Sequence, residues 1–372
     1  MIKRLIQGAG ALILAPAILA SVLAFREPNK SSDKEIPRKQ TIEELFENPT
    51  EENVEQIIND KFKQYFKKYS FDGKEITLNT PFGENGERSV KNSYDQTFCY
   101  SGKASPKDLW EITENILNSS RFKGYVSELK KQEEKIVIFD LEKQKYGVSK
   151  NKSLISKMKR GKYPGSNTLI YVYKKGGSFE KEDIYNYLYC LGKVGTDCSG
   201  FVYNIQREIA LKKGINLDNI LAEKLGVNPK KLPIYIGTWL YNPECGYTEM
   251  IRDNINEIKS GDIILFRGKE GKVKHSAVIQ SIDKNHGIIR YMQSTDWAPR
   301  EDRGVHESLV MFNPKNPNIS LKDKSLIWKQ KIVPTFKGEP AIGWKNDGER
   351  YRAYQNYGGG MIVRLKDTKL NK

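Results

Sequence analysis

The chain has 372 residues, 38% hydrophobic and 10% aromatic, enough to bury one good core and a small second one. Its formal net charge of +16 is spread along the chain and concentrated around residues 143–162, which favours polyanionic partners through long-range attraction. No phosphate-cradling glycine loop, zinc-spaced cysteine pair or internal repeat occurs, so no cofactor and no metal is implied.

Lys3 and Arg4 precede an apolar run over 5–25 that ends near Val22-Leu23-Ala24, which predicts a signal peptide over residues 1–24 and hence export. An uncleaved membrane anchor is the alternative, because the run nears the roughly 20 residues that span a bilayer, although Gly8, Gly10 and Pro16 weaken it as a span. No cysteine lies near its end, which argues against a lipoprotein. The expected address is the periplasm or cell envelope, where wall polymers, acidic stem peptides and lipid head groups are the available polyanions and nucleic acid is not. A polar linker over 25–39 leads to a mostly helical region, 40–135, with no assigned role. There Thr41-Ile42-Glu43-Glu44 resembles a capping box. Residues 51–67 place Val54, Ile57, Ile58, Phe62 and Phe66 at helical spacing, and 105–117 repeat the pattern; both stripes read as packing faces. A strand is expected at 135–139, the Lys-rich stretch 147–175 contains Leu169-Ile170-Tyr171-Val172-Tyr173, and Ser178 should cap a helix that runs to residue 191.

Asp197-Cys198-Ser199-Gly200-Phe201-Val202 opens a helix expected over 199–211, directly after a glycine-containing turn. A thiol at a helix N-terminus is biased toward thiolate by free backbone N–H groups and the positive end of the macrodipole. Cys198 is therefore the candidate nucleophile, and Asp197 also suits a plain N-cap. An insertion-like segment, 214–260, carries Trp239, Tyr241 and Tyr247, which either pack the loop down or line a groove. Gly261-Asp262 reads as the turn before a strand. His275 stands at the expected exposed start of a strand over 275–282. A five-residue loop, 283–287, then turns the chain into a second strand over 288–295, making a hairpin. Reflecting His275 through Asn285 lands on Thr295, so Gln293 becomes a diagonal neighbour of His275 on the same face. His286 in the loop and His306 in a polar stretch read as solvated surface. Strand-like pieces at 325–333 and 359–363 belong to a C-terminal extension, 313–372, packed on the preceding domain. Of the remaining cysteines, Cys99, Cys190 and Cys245, at most one disulfide can form, and Cys190 with Cys245 is the pair considered.

The order Asp-Cys-Ser-Gly at Asp197–Gly200, Gly-Asp before the apolar strand at Gly261–Phe266, and a histidine heading the next strand at His275 resembles the NlpC-type cell-wall peptidases, a branch of the papain-like cysteine hydrolases. The resemblance covers residues 167–312. It implies an α+β papain-like domain over 136–312, with an antiparallel sheet and the nucleophile at a helix N-terminus. It makes Cys198 the nucleophile, His275 the general base and acid, and Gln293 the third residue that holds the imidazole. Many members have histidine at the third position, and glutamine orients a ring without supplying a negative charge. The resemblance also implies Asp197 and Ser199 as contacts to the amino end of a stem peptide. Tyr189 is then the tyrosine beside the reacting carbonyl, with Tyr187 competing because the segment before Cys198 is shorter than usual. The implied activity is hydrolysis of an amide in peptidoglycan stem peptides, between D-glutamate and the diamino acid. An amidase or thiol acyltransferase of the same fold, or a catalytically silent protein that binds anionic wall polymer, are the alternatives.

Overall fold

The computed structural model describes residues 51–366, except 72, 84–88, 92–96, 101–102, 161, 163–167, 252–253, 269, 296–303, 332–343 and 347–359. The N-terminal apolar run, the linker and the capping box lie outside the described residues, as does the side chain of Cys99. Among the described residues no helix is long and apolar enough to cross a membrane.

Chain order begins with α1 (Glu51–Lys63), the hairpin β1 (Phe66–Phe71) and β2 (Lys74–Asn79), and the short pair β3 (Ser89–Lys91) and β4 (Thr97–Tyr100). Helices α2 (Pro106–Asn118) and α3 (Ser120–Lys130) follow. Residues 51–135 therefore hold strands as well as helices. The α2 start is dictated locally: Ser105 is its N-cap, its hydroxyl accepting from Asp108 N–H, and Pro106 fills the first turn, where a missing N–H costs nothing. A three-stranded antiparallel sheet, β6 (Lys145–Ser149), β5 (Lys135–Asp140) and β7 (Leu169–Lys174), packs with α2, α3 and α5 (Lys181–Tyr187) around Phe122, Tyr125, Phe139 and Tyr187. Helix α4 (Lys152–Lys159) covers Ile136 on its other side.

Helix α6 (Cys198–Lys212) is the central helix, and α7 (Leu217–Leu225) and α8 (Leu232–Tyr235) follow it. The main sheet has eight antiparallel strands in the order β14 (Trp344–Asn346), β13 (Ile327–Lys331), β12 (Gly304–Met311), β11 (Ile288–Thr295), β10 (Val273–Asp283), β9 (Ile263–Arg267), β15 (Gly360–Leu365) and β8 (Thr248–Ile251). The fold is thus α+β with antiparallel sheets. The C-terminal strand β15 lies between β8 and β9, inside the sheet.

Alternation along the strands divides the core into two layers. Ile263, Leu265, Val278, Met292 and Val305 pack against Phe201, Val202 and Ile205 of α6 and Val54, Ile58 and Phe62 of α1. Ile264, Phe266, Ala277, Tyr291 and Val310 pack instead with Leu321 and Trp328. Each large apolar side chain fully buried in these layers contributes roughly 1.5–3 kcal/mol.

Candidate active site

Cys198 is the first residue of α6 and is 8% exposed. Asp197 caps the helix, its Oδ1 accepting from Gly200 N–H at 2.7 Å, so the N-cap reading and the position beside the thiol hold together. The turn before it is fastened on two sides. Thr196 pairs with Phe82 in a parallel bridge, with Thr196 N–H donating to Pro81 O at 2.9 Å and Gly83 N–H donating to Thr196 O at 3.3 Å. Ser294 Oγ of β11 donates to the same Thr196 oxygen at 2.6 Å. Tyr241, from the segment after α8, donates its hydroxyl to Ser199 O at 2.8 Å. Burial, and next the Asp197 charge, hold the Tyr241 phenol far above its ordinary value, so it stays a donor at every physiological pH.

His275 is 5% exposed, not at an exposed strand start, because β10 begins two residues earlier and the imidazole lies 5.5 Å from the Phe266 ring. The strand is irregular on both sides of it. Lys274 is an extra residue against β9 and Gln280 an extra residue against β11, and bulges of this kind re-aim neighbouring side chains. The hairpin loop is four residues rather than five, since Asp283 pairs with Ile288. The bulge at Gln280 then restores the outer register, with Val278 opposite Met292, and this is why reflection through Asn285 placed Gln293 correctly. His275 Nε2 and Gln293 Oε1 are 2.8 Å apart.

Beyond Gln293 stands a residue that the sequence reading put at the surface. His306 is 3% exposed and faces Gln293 directly across the β11–β12 ladder. Its place in a polar stretch hid a strand that is buried on both faces. His306 Nδ1 lies 2.9 Å from Gly304 O, Gln293 Nε2 lies 3.4 Å from His306 Nε2, and Gln293 Nε2 donates to Ser308 Oγ at 2.8 Å. These contacts fix proton positions from one end. A carbonyl only accepts, so His306 carries its proton on Nδ1 and presents an Nε2 lone pair. That lone pair and Ser308 draw the Gln293 amide N–H groups, which turns Oε1 toward His275. Oε1 only accepts, so His275 is protonated on Nε2 and its basic nitrogen is Nδ1. His286, by contrast, is on the surface as expected, its Nδ1 2.6 Å from Asp283 Oδ2.

Adjacent residues of β11 thus reach in opposite directions, Gln293 to the imidazole and Ser294 to the turn that presents Cys198. Asp197 and Ser199 are engaged by Lys103, whose ammonium donates to Asp197 Oδ2 and Ser199 Oγ. Nothing in the local sequence signals Lys103. Tyr187 packs 5.0 Å from Phe122 and 4.9 Å from Tyr125, deep in the neighbouring core. Tyr189 lies in a π-helical turn, Leu188–Gly192, and lines a small cavity with Pro81 and Phe82. Of the four aromatics of the 214–260 segment, Tyr241 and Tyr247 pack down, whereas Tyr235 and Trp239 are 44% and 49% exposed. Trp239 sits next to Thr238, whose hydroxyl donates to Val273 O at 3.1 Å, two residues before His275. Gly261-Asp262 is a turn whose Oδ2 accepts from Lys259 N–H at 2.8 Å, and the buried carboxylate also pairs with Arg364. Cys190 and Cys245 are not joined to each other, so the pairing considered from sequence is not formed.

Among the described residues no group of three or more His, Cys, Asp or Glu side chains is arranged to hold a metal ion. No known family model, curated protein or solved structure matches this chain.

Proposed function

We propose that the protein is an exported cysteine hydrolase, of papain-like NlpC type, that cleaves an amide bond in peptidoglycan stem peptides. The observation that carries this reading is the ordered line from Gly304 O through His306 and Gln293 to His275, which leaves the imidazole base at Nδ1. A buried imidazole held in one orientation, on strands fastened to the turn before a helix-terminal thiol, is the equipment of thiol acyl transfer.

In this mechanism His275 Nδ1 takes the Cys198 proton and the thiolate sulfur attacks the substrate carbonyl carbon. Backbone N–H groups at the start of α6, including that of Cys198, hold the oxyanion. The imidazolium returns its proton to the departing amine as the C–N bond breaks, leaving a thioester. Water then gives a proton to His275 and attacks, and the acid leaves as Cys198 regains its proton. Gln293 supplies orientation without charge, so the ion pair rests on the helix terminus and the Nε2 hydrogen bond. The scissile bond proposed is that between D-glutamate and the diamino acid, and half-exposed Trp239 near the β10 start suits a groove for wall polymer. The net charge of +16 would draw the protein to anionic wall material.

Digestion of purified peptidoglycan by the protein without its first 24 residues, and by the same protein with Cys198→Ala, tests the reading, with released fragments identified by mass. Stem-peptide fragments from the first and none from the second are expected. Release by neither, with wall binding retained, would leave a binding protein and sink the hydrolase.

A further inference from the structure

The two residues flanking the nucleophile form one closed polar cluster. Lys103 donates to Asp197 Oδ2 and to Ser199 Oγ. The Ser199 hydroxyl in turn donates to Asp197 Oδ1 at 2.9 Å, and Gly200 N–H donates to that oxygen as well. The side chains of Lys103 and Asp197 are only 10% and 16% exposed, so the pair is withdrawn from the screening that makes surface ion pairs weak. The backbone around Lys103 is pinned to the same helix, since Asn204 Nδ2 donates to Ala104 O at 3.1 Å and to Gly200 O at 2.9 Å. A carboxylate, a hydroxyl and a helix turn beside Cys198 thus already coordinate an alkylammonium, and that ammonium comes from the protein's own N-terminal region. The acyl-transfer mechanism has no use for a cation at this point, so the occupant calls for another explanation.

We propose that Lys103 fills from within the amino-end contact that the resemblance implies for Asp197 and Ser199, and closes it to substrates bringing a free amino group there. A tethered ammonium competes at an effective concentration on the order of millimolar, and a second cation brought alongside is repelled. The substrate consequence rests on the hydrolase reading. The acyl part of the substrate carries no cation at this position, its nitrogen being already acylated, as in a stem peptide still joined to glycan and unlike a released peptide with a free amino terminus. Lys103 is in this sense a specificity-determining residue.

The filling of this contact by Lys103 is tested without any hydrolysis by labelling Cys198 with a cationic aminoethyl and a neutral methyl methanethiosulfonate. In both reactions the thiolate sulfur displaces methanesulfinate and a mixed disulfide forms. Rates are read by mass on the Cys198 peptide, in the unaltered protein, in Lys103→Ala, and in Lys103→Ala combined with Asp197→Asn. The cationic-to-neutral rate ratio should rise about tenfold in Lys103→Ala, as expected for an unmasked, partly buried carboxylate, and fall back in the double variant. Lys103→Met, which keeps the aliphatic stem, should move the ratio the same way. An unchanged ratio, or a rise that persists without the Asp197 charge, would overturn the proposal. A second arm compares cleavage of stem peptides that differ only in N-terminal acetylation. The unaltered protein should prefer the acetylated peptide, and Lys103→Ala should narrow or reverse that preference. Equal cleavage of both peptides by both proteins would overturn the role of Lys103 and leave the hydrolase standing. Cleavage of neither, with the labelling ratio responding, would remove the hydrolase and leave the contact filled by Lys103.

Discussion

A glutamine amide is sterically indifferent to which end faces a neighbour, and at Gln293 the choice is made by a backbone carbonyl at Gly304, acting through His306. His306 touches no reacting atom in the proposed mechanism and is a positioning residue. Replacing it with phenylalanine removes the acceptor that, with Ser308, keeps the Gln293 N–H groups turned away from His275. We expect kcat/KM for wall peptides to fall about 10–100-fold, the range seen when orienting partners are lost. The acid limb of the pH–rate profile should move as the imidazole loses its fixed tautomer, whereas Cys198 labelling at high pH should change little. A loss confined to folding stability, with an unaltered profile, would reduce His306 to a core residue. Cys198, Asp197 and the His275–Gln293 pair were legible in the sequence because helix capping and strand pairing are local rules. His306 and Lys103 were not, since one lies on a later strand that is buried on both faces and the other reaches a partner 94 residues away.

Among elements, the turn ahead of α6 depends on how close two backbones come. A Cβ on Gly195 would lie 2.4 Å from Pro81 O and 2.7 Å from the Phe82 carbonyl carbon, and one on Gly83 would lie 2.5 Å from Gly195 C. These contacts are with main chain, so no side-chain rotation relieves them. Gly195→Ala should therefore force the Phe82–Thr196 bridge apart and cost on the order of 1–3 kcal/mol, as overpacking does. The urea midpoint should drop, and Cys198 labelling should slow or lose its pH dependence although no functional side chain has changed. An unaltered midpoint and unaltered labelling would mean that the bridge does not hold the turn. Sequence marked a glycine turn here, but the strand partner at Phe82 lies 114 residues earlier and carries no complementary motif.

Over the whole molecule, the last described strand is tied to the turn that leads into its sheet neighbour β9. Arg364 Nε donates to Asp262 Oδ1 at 2.7 Å and Nη2 donates to Oδ2 at 2.9 Å, joining β15 to the turn that starts β9. Burial nonetheless raises the Asp262 carboxyl above its usual range, against the opposing pull of Arg364. The folded state then holds that proton more tightly than the unfolded chain. On this account stability rises as pH falls through the folded value and levels off below about 3.9, the unfolded value. Asp262→Asn cannot titrate, so the urea midpoint of the unaltered protein should exceed that of the variant by more near pH 4 than at pH 7. The opposite slope would mean that the Arg364 pairing outweighs burial.

The sequence by itself determined where α6 begins, which cysteine sits in its first turn, the antiparallel hairpin, and the diagonal pairing of His275 with Gln293. Each follows from forces that act within a few residues: capping of orphan N–H groups, the period of apolar side chains, and the reflection symmetry of a hairpin. Tertiary structure alone decided that His306 turns inward, that Lys103 lies on Asp197 and Ser199, that Tyr241 braces the Ser199 carbonyl, and that β15 enters between β8 and β9. Those arrangements depend on which distant segments share a buried surface, and that is set by how layers close over a common core, where unpaired polar groups must find partners wherever the chain supplies them.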